Sequence, residues 1–168
     1  MRILVAIANH GTKNRAFLDR LLAEYSRMPY EVHVVVLSDR PKPDLHGLAE
    51  VRVGAPTSSP WSLPFAHRKL FAERIAQYDL FIYSEDDTLL TPRNLAAFLE
   101  VKEQLAPHQV PGFLRYERYG DGRISYCGVH FHYHWEPESA FRVGEHVFAR
   151  YTNEHSGLYV LDRAQLQR

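Results

Sequence analysis

Two runs of apolar residues near the start of the chain most constrain its fold. Residues 3–8 are apolar without interruption, as expected for a strand that is buried on both faces of a parallel sheet. Residues 31–37 form a second, valine-rich run that closes at Ser38. Between the two runs, apolar residues recur at helical spacing from Phe17 to Tyr25. The sequence therefore predicts a β-α-β unit at its start.

The alternation of strand and helix patterns continues beyond this unit. Residues 48–53 are a candidate third strand, and a helix that opens at Ser62 leads into the apolar run of residues 78–83. Thr91 and Pro92 then provide an N-cap and a proline at the first position of another helix. Such alternation is typical of α/β proteins, so we predict a mostly parallel sheet flanked by helices.

The last third of the chain has an aromatic, β-rich pattern. Residues 113–119 and 123–126 flank a turn with two glycines, which predicts a hairpin. Residues 146–151 and 157–161 are further strand candidates. We therefore expect antiparallel β additions in the C-terminal third. With 168 residues, the whole chain fits one domain.

The composition excludes several classes of function. The 20 lysine and arginine residues balance the 20 aspartate and glutamate residues, so no global basic field would attract nucleic acid. No stretch approaches the roughly 20 apolar residues that cross a bilayer. The single cysteine, Cys127, rules out an intramolecular disulfide and fits a reducing compartment, so we expect a cytoplasmic protein.

Three carboxylates follow the apolar run of residues 78–83, namely Glu85, Asp86 and Asp87. Like charges this close raise one another's pKa, a cost that a bound divalent cation offsets. The carboxyl end of a strand is also where open α/β sheets bind their ligands. Carboxylate oxygens together with a phosphorylated substrate suit Mg²⁺ or Mn²⁺. The alternative is an acidic turn that is simply solvated.

The opening β-α-β unit, the basic residues His67, Arg68 and Lys69 and the acidic strand together resemble the GT-A nucleotide-sugar glycosyltransferases. The resemblance covers residues 1–110 and implies a Rossmann-like GT-A fold. In that family the acidic triplet is the DxD motif, whose last carboxylate binds the Mn²⁺ or Mg²⁺ that bridges the donor diphosphate. By this resemblance Asp87 is the metal ligand, and Glu85 and Asp86 help to bind the donor.

The resemblance also implies the substrates and the division of the chain. The donor would be a nucleoside diphosphate sugar, and the acceptor would be a hydroxyl of a glycan or a small molecule. Residues 1–110 would be the nucleotide-sugar-binding half and residues 111–168 the acceptor half, because residues 153–159 resemble the loop and strand that follow the acceptor site. The helix predicted at Asp162 has six residues after its cap, so we expect a truncated or minimal form of a longer parent.

Further donor-binding candidates lie at the strand ends and in the basic helix. Asp39 could accept hydrogen bonds from a base or ribose, although it could equally be a turn residue. Arg68 could bind a diphosphate through two parallel hydrogen bonds, and a solvated charged helix face is the alternative. The full set of these candidates is Ala8, Asn9, His10, Asp39, Arg68 and Lys69.

The acceptor-binding candidates are Tyr126, His132 and Trp135. His132 lies in a run with alternate histidines that could suggest zinc, but no cysteine or fourth ligand has the spacing of a zinc site, so we favour an acceptor pocket. An inverting transfer needs a carboxylate base near the acceptor hydroxyl, and Glu154 is the first candidate. The residues Asp121, Glu136 and Glu138 remain open as bases, and a retaining mechanism needs none.

Two other functions stay open at this point. A nucleotidyltransferase would also use a nucleotide-binding α/β sheet with acidic metal ligands. It normally has a glycine-rich phosphate loop after the first strand, whereas residues 9–15 contain one glycine. The second alternative is a nucleotide- or glycan-binding domain that has this fold without turnover.

Overall fold

The computed structural model of the protein describes residues 1–126, 135–151 and 157–168. These residues form two compact units, one of Met1–Leu99 with Gly157–Arg168 and the other of Glu100–Ser156. The division predicted from the sequence instead lies at residue 110. The first unit contains residues from both ends of the chain because the last strand returns to its sheet. Among the described residues, none of the helices combines the length and the apolar character needed to cross a membrane.

The described elements alternate along the first unit and are mainly β in the second. The strands are β1 (Arg2–Asn9), β2 (Glu31–Ser38), β3 (Glu50–Val53), β4 (Leu80–Glu85), β5 (Tyr116–Arg118), β6 (Ile124–Tyr126), β7 (Trp135–Val143), β8 (His146–Tyr151) and β9 (Leu158–Asp162). The helices are α1 (Arg15–Ser26), α2 (Ala66–Arg74), α3 (Pro92–Lys102) and the short α4 (Arg163–Leu166).

The first unit is built on a five-stranded sheet in the order β3-β2-β1-β4-β9. Strands β1 to β4 are parallel, and β9 pairs antiparallel with β4. The side chains of residues 3–7 in β1 are fully buried, which is what the uninterrupted apolar run predicts for the central strand. The predicted α/β fold with a mostly parallel sheet is therefore confirmed.

Helices cover the sheet as the alternation predicts. The face that carries Leu4, Ala6 and Ala8 of β1 packs against Leu70 and Phe71 of α2, in one continuous apolar cluster. Helix α1 buries its own apolar stripe, formed by Leu18, Leu21 and Tyr25, and contacts β2. Each fully buried leucine or phenylalanine contributes about 1.5–3 kcal/mol relative to an exposed one, so these contacts account for much of the stability of the first unit.

The helix predicted to open at Ser62 begins later. Residues Pro60–Phe65 form a 3₁₀ turn, and the α-helix starts at Ala66. Pro64 lies inside the turn, where its ring and its missing N–H disfavour regular α-helical hydrogen bonding. The turn therefore remains a separate element between β3 and α2.

The second unit contains two antiparallel pairs among its described residues. Strands β5 and β6 pair through Tyr116 and Tyr126, and Gly122 in their connection has a positive φ of 85° that favours glycine. Strands β7 and β8 form the other pair, with an irregular register between Glu136 and Phe141. The first pair is the predicted hairpin, and the second joins the predicted strand β8 to β7, which was not predicted from the sequence. Antiparallel additions in the C-terminal third are therefore present, as expected.

Candidate functional site at the carboxyl edge of the sheet

The strand order creates a topological switch point between β1 and β4. From β1 the chain proceeds outward to β2 and β3, and it then returns to the opposite side of β1 as β4. The connections at the carboxyl ends of β1 and β4 therefore diverge, and such switch points are where α/β sheets bind ligands. We call this part of the carboxyl edge the crevice. In the β1–β4 register Ala8 lies beside Glu85, so Asn9 and Asp86 follow at this crevice.

Asp86 is the centre of a buried polar cluster at the switch point. Its side chain is turned inward, with the residue only 7% exposed. The Asn9 amide donates to one carboxylate oxygen at 2.5 Å, and the Asn14 amide donates to the other at 2.7 Å. Because Asn14 immediately precedes α1, these two bonds join β1, the end of β4 and the start of α1. We call Asn9, Asn14 and Asp86 the asparagine–aspartate brace.

Burial and the neighbouring hydrogen-bond donors act in opposite directions on the pKa of Asp86. Burial raises the pKa of Asp86, and the charge of Asp87 raises it further, whereas the hydrogen bonds from Asn14 and Asn9 and the charge of Lys42 oppose that rise. Both carboxylate oxygens are already engaged within the protein. Asp86 is therefore suited to holding the crevice together rather than to binding a metal ion.

Asp39, which follows β2, also joins separate parts of the chain through its carboxylate. Its carboxylate accepts hydrogen bonds at 2.8 Å from the Gly11 backbone N–H and from Arg40, and His10 lies 3.9 Å away. Partial burial acts to raise the pKa of Asp39, but the bonds from Arg40 and Gly11 and the charges of Arg40 and His10 prevail and lower it to about 2. Lys42 donates to the Gly11 carbonyl, so the loops after β1 and β2 are cross-linked.

Gly11 allows this cross-linked arrangement. Its φ of 64° lies in the left-handed region, which residues with a side chain rarely adopt. This conformation directs its N–H to Asp39 while its carbonyl receives the Lys42 amine. The predicted donor-binding residues Asn9, His10 and Asp39 thus come together at one edge, whereas the side chain of Ala8 belongs to the apolar core.

Glu85 and Asp87 are the acidic residues left available to a ligand. Asp87 is exposed and accepts a long 3.4 Å hydrogen bond from Thr88, and Glu85 is half-buried. The Glu85 backbone N–H donates to the Gly157 carbonyl at 2.8 Å, which fixes the end of β4. Across the described part of the chain, no three histidine, cysteine, aspartate or glutamate side chains form a group that could hold a metal ion.

The basic residues of α2 lie on the helix surface. The Arg68 guanidinium lies 4.9 Å from the centre of the Phe65 ring, and the Lys69 amine lies 4.0 Å from the Glu73 carboxylate. Their neighbour His67 points inward instead, with its ring 4.3 Å from that of Tyr83. Burial lowers the pKa of His67, and the Arg68 charge lowers it further, although a hydrogen bond to the Pro64 carbonyl opposes this.

Sequence reasoning missed Asn14, Lys42 and His67. Asn14 precedes the helical repeat, so its preference for helix caps was a usable signal, although its side chain bonds Asp86 rather than the helix. His67 lies three and four residues before Leu70 and Phe71, on the buried face of α2. No local pattern distinguishes Lys42 from other surface lysines.

Several predicted acceptor-side residues lie outside the described residues. This applies to His132 and to the candidate base Glu154. Trp135 begins β7, and Tyr126 is exposed on β6 opposite Tyr116. Among the other candidate bases, Asp121 bonds Arg123 at 2.6 Å, Glu136 lies 3.8 Å from Arg150, and Glu138 is exposed.

Comparison with known proteins adds little beyond this geometry. No protein-family model matches the chain, and no curated protein matches its sequence. TarS from S. aureus aligns over 61% of this chain with 15% identity and a TM-score of 0.41, and the chain spans about a fifth of the length of TarS. A 4-diphosphocytidyl-2C-methyl-D-erythritol synthase from Anaerococcus prevotii DSM 20548 aligns over 96% of this chain and 71% of its own, with 10% identity and a TM-score of 0.43. The function therefore has to be argued from the residues of the crevice.

Proposed function

We propose that the protein is a glycosyltransferase that binds a nucleoside diphosphate sugar at the carboxyl edge of its sheet and transfers the sugar to a hydroxyl of a glycan or small acceptor. One observation carries this proposal: the asparagine–aspartate brace joins β1, the end of β4 and the start of α1 at the switch point, while the next carboxylate, Asp87, stays exposed. An enzyme that must position a flexible donor needs such a pre-organised site.

The surrounding charges suit a phosphorylated ligand. Lys42, Arg40 and His10 lie along the loops after β1 and β2, and each is close to Asp39 or to the Gly11 backbone. The Asp39 carboxylate orients the Arg40 guanidinium, and the remaining N–H groups would be available to phosphate oxygens. Asp39 would accept a further hydrogen bond from a ribose hydroxyl, since each carboxylate oxygen can accept more than one.

A divalent metal ion fits this donor set when it is shared with the ligand. Mg²⁺ is commonly held by one or two carboxylates together with substrate phosphates and waters, so an incomplete protein ligand set is no obstacle. Asp87 would supply a carboxylate oxygen to Mn²⁺ or Mg²⁺, with Glu85 in support. Once bound, the ion would neutralise the charge that develops on the leaving diphosphate.

The protein's own residues would do the remaining work. Asp86 would hold Asn9 and Asn14 and so keep the crevice open, without contacting the metal ion. Lys69 remains a proposed phosphate contact, and Tyr126, His132 and Trp135 remain the proposed acceptor site. In an inverting reaction Glu154 would take the proton of the acceptor hydroxyl, which typically contributes about 10²–10⁴-fold to the rate.

A second candidate is a domain that binds a nucleoside diphosphate sugar without transferring it. Such a domain would use the same brace and the same charged residues around Asp39, without a catalytic base. Both candidates require donor binding, and they differ in whether a sugar is released or transferred.

Thermal unfolding with a panel of donors tests the proposal. UDP-glucose, UDP-N-acetylglucosamine and GDP-mannose would each be added with Mn²⁺, with Mg²⁺ or with EDTA. A donor at 100 times its dissociation constant adds about 2.7 kcal/mol to the free energy of unfolding, a rise in midpoint of about 5–10 °C for a chain of this size. No stabilisation by any donor would contradict both candidates, and stabilisation without release of UDP or GDP would favour the binding domain.

A further inference from the structure

Two large aromatic side chains project from the turn that connects β3 to α2. Trp61 is 85% exposed, the highest value among the large apolar side chains that the structure describes, and Phe65 is 51% exposed. Exposing a tryptophan to this extent sacrifices a large apolar contact area. We call Trp61, Phe65 and Arg68 the aromatic platform.

The turn that carries Trp61 is firmly held. Ser62 accepts a hydrogen bond from the Thr57 backbone N–H at 3.1 Å and donates to the Ser59 carbonyl at 2.7 Å. Leu63 is buried in the apolar cluster beneath the turn, and Pro60 has a fixed φ. The position of Trp61 is therefore set by the turn, which reduces the entropy lost when it binds a ligand.

The turn also lies at the functional edge of the sheet. The Gly54 N–H donates to the carbonyl of Ser38, the last residue of β2, and the turn itself packs against β2. The last residues of α2 connect to the start of β4, at the amino ends of the parallel strands. The first residue of α2 must therefore lie near the carboxyl ends of these strands. His67, in the first turn of α2, accordingly contacts Tyr83 near the end of β4.

Three candidate contacts lie along this edge in the same order as the diphosphate, the ribose and the base of a nucleotide. Asp87 follows β4, Asp39 follows β2, and the segment with Trp61 follows β3. Strands β4 and β3 are three interstrand spacings apart, or about 14 Å. A donor with its diphosphate near Asp87 and its ribose near Asp39 would extend its base toward the aromatic platform.

We propose that Trp61 stacks on the nucleobase of the donor. This inference rests on the proposed function, since it assumes that the donor occupies the carboxyl edge. Every base has a flat π-face, so a stacking platform should accept uracil, cytosine, guanine or adenine with modest preference. Arg68 adds a positive charge beside the ring of Phe65 at 4.9 Å, which favours an anionic nucleotide over a neutral sugar.

Tryptophan fluorescence gives a direct test because the chain has two tryptophans, Trp61 and Trp135. In a Trp135→Phe variant the remaining emission comes from Trp61. UDP, CDP, GDP and ADP would be titrated against this variant, with pyrophosphate as the ligand that lacks a base. The inference expects saturable quenching by at least one nucleotide and none by pyrophosphate.

Calorimetry on chains that keep Trp135 provides the second readout. Trp61→Ala should weaken nucleotide affinity about tenfold, the size expected for loss of one base–aromatic stack, and should leave pyrophosphate affinity unchanged. Trp61→Phe should retain most of the affinity. Leu48→Ala removes another exposed apolar side chain, before β3 rather than after it, and should change neither affinity.

The outcomes separate this inference from the proposed function. If nucleotides bind wild type and Trp61→Ala equally well, the stacking role is wrong and the proposed function stands. An equal loss for nucleotides and pyrophosphate would also overturn the stacking role, because it would reveal a general disturbance of the site. If no nucleotide binds the wild-type protein, both proposals fall.

Discussion

Removing the hydroxyl of Tyr83 should increase the stability of the protein, whereas the same change at Tyr78 should decrease it. Both tyrosines belong to the apolar cluster beneath α2, and both are nearly fully buried. The Tyr78 hydroxyl lies 2.6 Å from Nδ1 of His33. The Tyr83 hydroxyl is buried and has no hydrogen-bond partner among the described residues. One oxygen atom is lost in each variant, so the two changes differ mainly in hydrogen bonding.

The expected magnitudes follow from that difference. A buried polar group without a partner costs about 1–3 kcal/mol, which Tyr83→Phe would recover. A satisfied hydrogen bond contributes about 0.5–1.5 kcal/mol, which Tyr78→Phe would lose, and water can replace the lost partner of the partly exposed His33. The two variants should therefore differ by about 1.5–4.5 kcal/mol in free energy of unfolding, with wild type between them.

Urea denaturation followed by circular dichroism measures these values. The slope with urea should be the same for all three proteins, so that a shift in midpoint reports stability alone. The reasoning is refuted if Tyr83→Phe loses as much stability as Tyr78→Phe, because the Tyr83 hydroxyl would then have a partner. An increase confined to ligand-free protein, with weaker donor binding, would instead indicate that this hydroxyl contacts the donor.

Three further predictions concern the crevice. Asp87→Asn should abolish the metal-dependent part of donor stabilisation and leave the midpoint of the free protein within about 2 °C, because the side chain is exposed; unchanged Mn²⁺ dependence would rule out Asp87 as ligand. Asp86→Ala should lower the free energy of unfolding in urea by about 2–4 kcal/mol, since the amides of Asn9 and Asn14 lose their acceptor; a loss below about 1 kcal/mol would contradict the brace. The pKa of Asp39 is lowered to about 2, so its stabilisation of the folded protein is complete above the pKa of the unfolded chain and is lost as pH falls from about 4 toward about 2. Asp39→Asn should therefore make the free energy of unfolding less dependent on pH in this acid range. Parallel plots of unfolding free energy against pH for the variant and wild type would be inconsistent with this assignment.

The central sheet was predictable because its central strands contain continuous apolar runs, the pattern of strands that are buried on both faces. Residues 3–8 and 34–37 lack the polar alternation of a half-exposed strand, and they lie in neighbouring parallel strands. Strand β7 was missed because Pro137 and two glutamates interrupt its apolar pattern. The late start of α2 has a local cause, since Pro64 favours the 3₁₀ turn over a regular helix.

The candidate site was predictable to the level of its location but not of its individual roles. Strand ends collect at one edge in any parallel sheet, so Asn9, Asp39 and the acidic triplet were expected to lie together. Which carboxylate turns inward depends on partners that are distant in sequence: Asn9 and Asn14 lie 77 and 72 residues from Asp86. The residue types alone do not distinguish the three adjacent acids as metal ligands, and Asp87 was selected only through the resemblance.

The fold distinguishes Asp86 from Glu85 and Asp87, because the Asp86 carboxylate accepts hydrogen bonds from two asparagine side chains. Two amides already donate to the two oxygens of Asp86, so a metal ion would have to share these oxygens with the amides or displace them and leave buried donors unpaired. Among the described residues, Asp87 accepts one long hydrogen bond from Thr88, and binding an ion there would carry no comparable cost. We therefore expect any cation to bind Asp87 rather than Asp86, and the stability of Asp86→Ala and the metal dependence of Asp87→Asn test the two sides of this expectation independently.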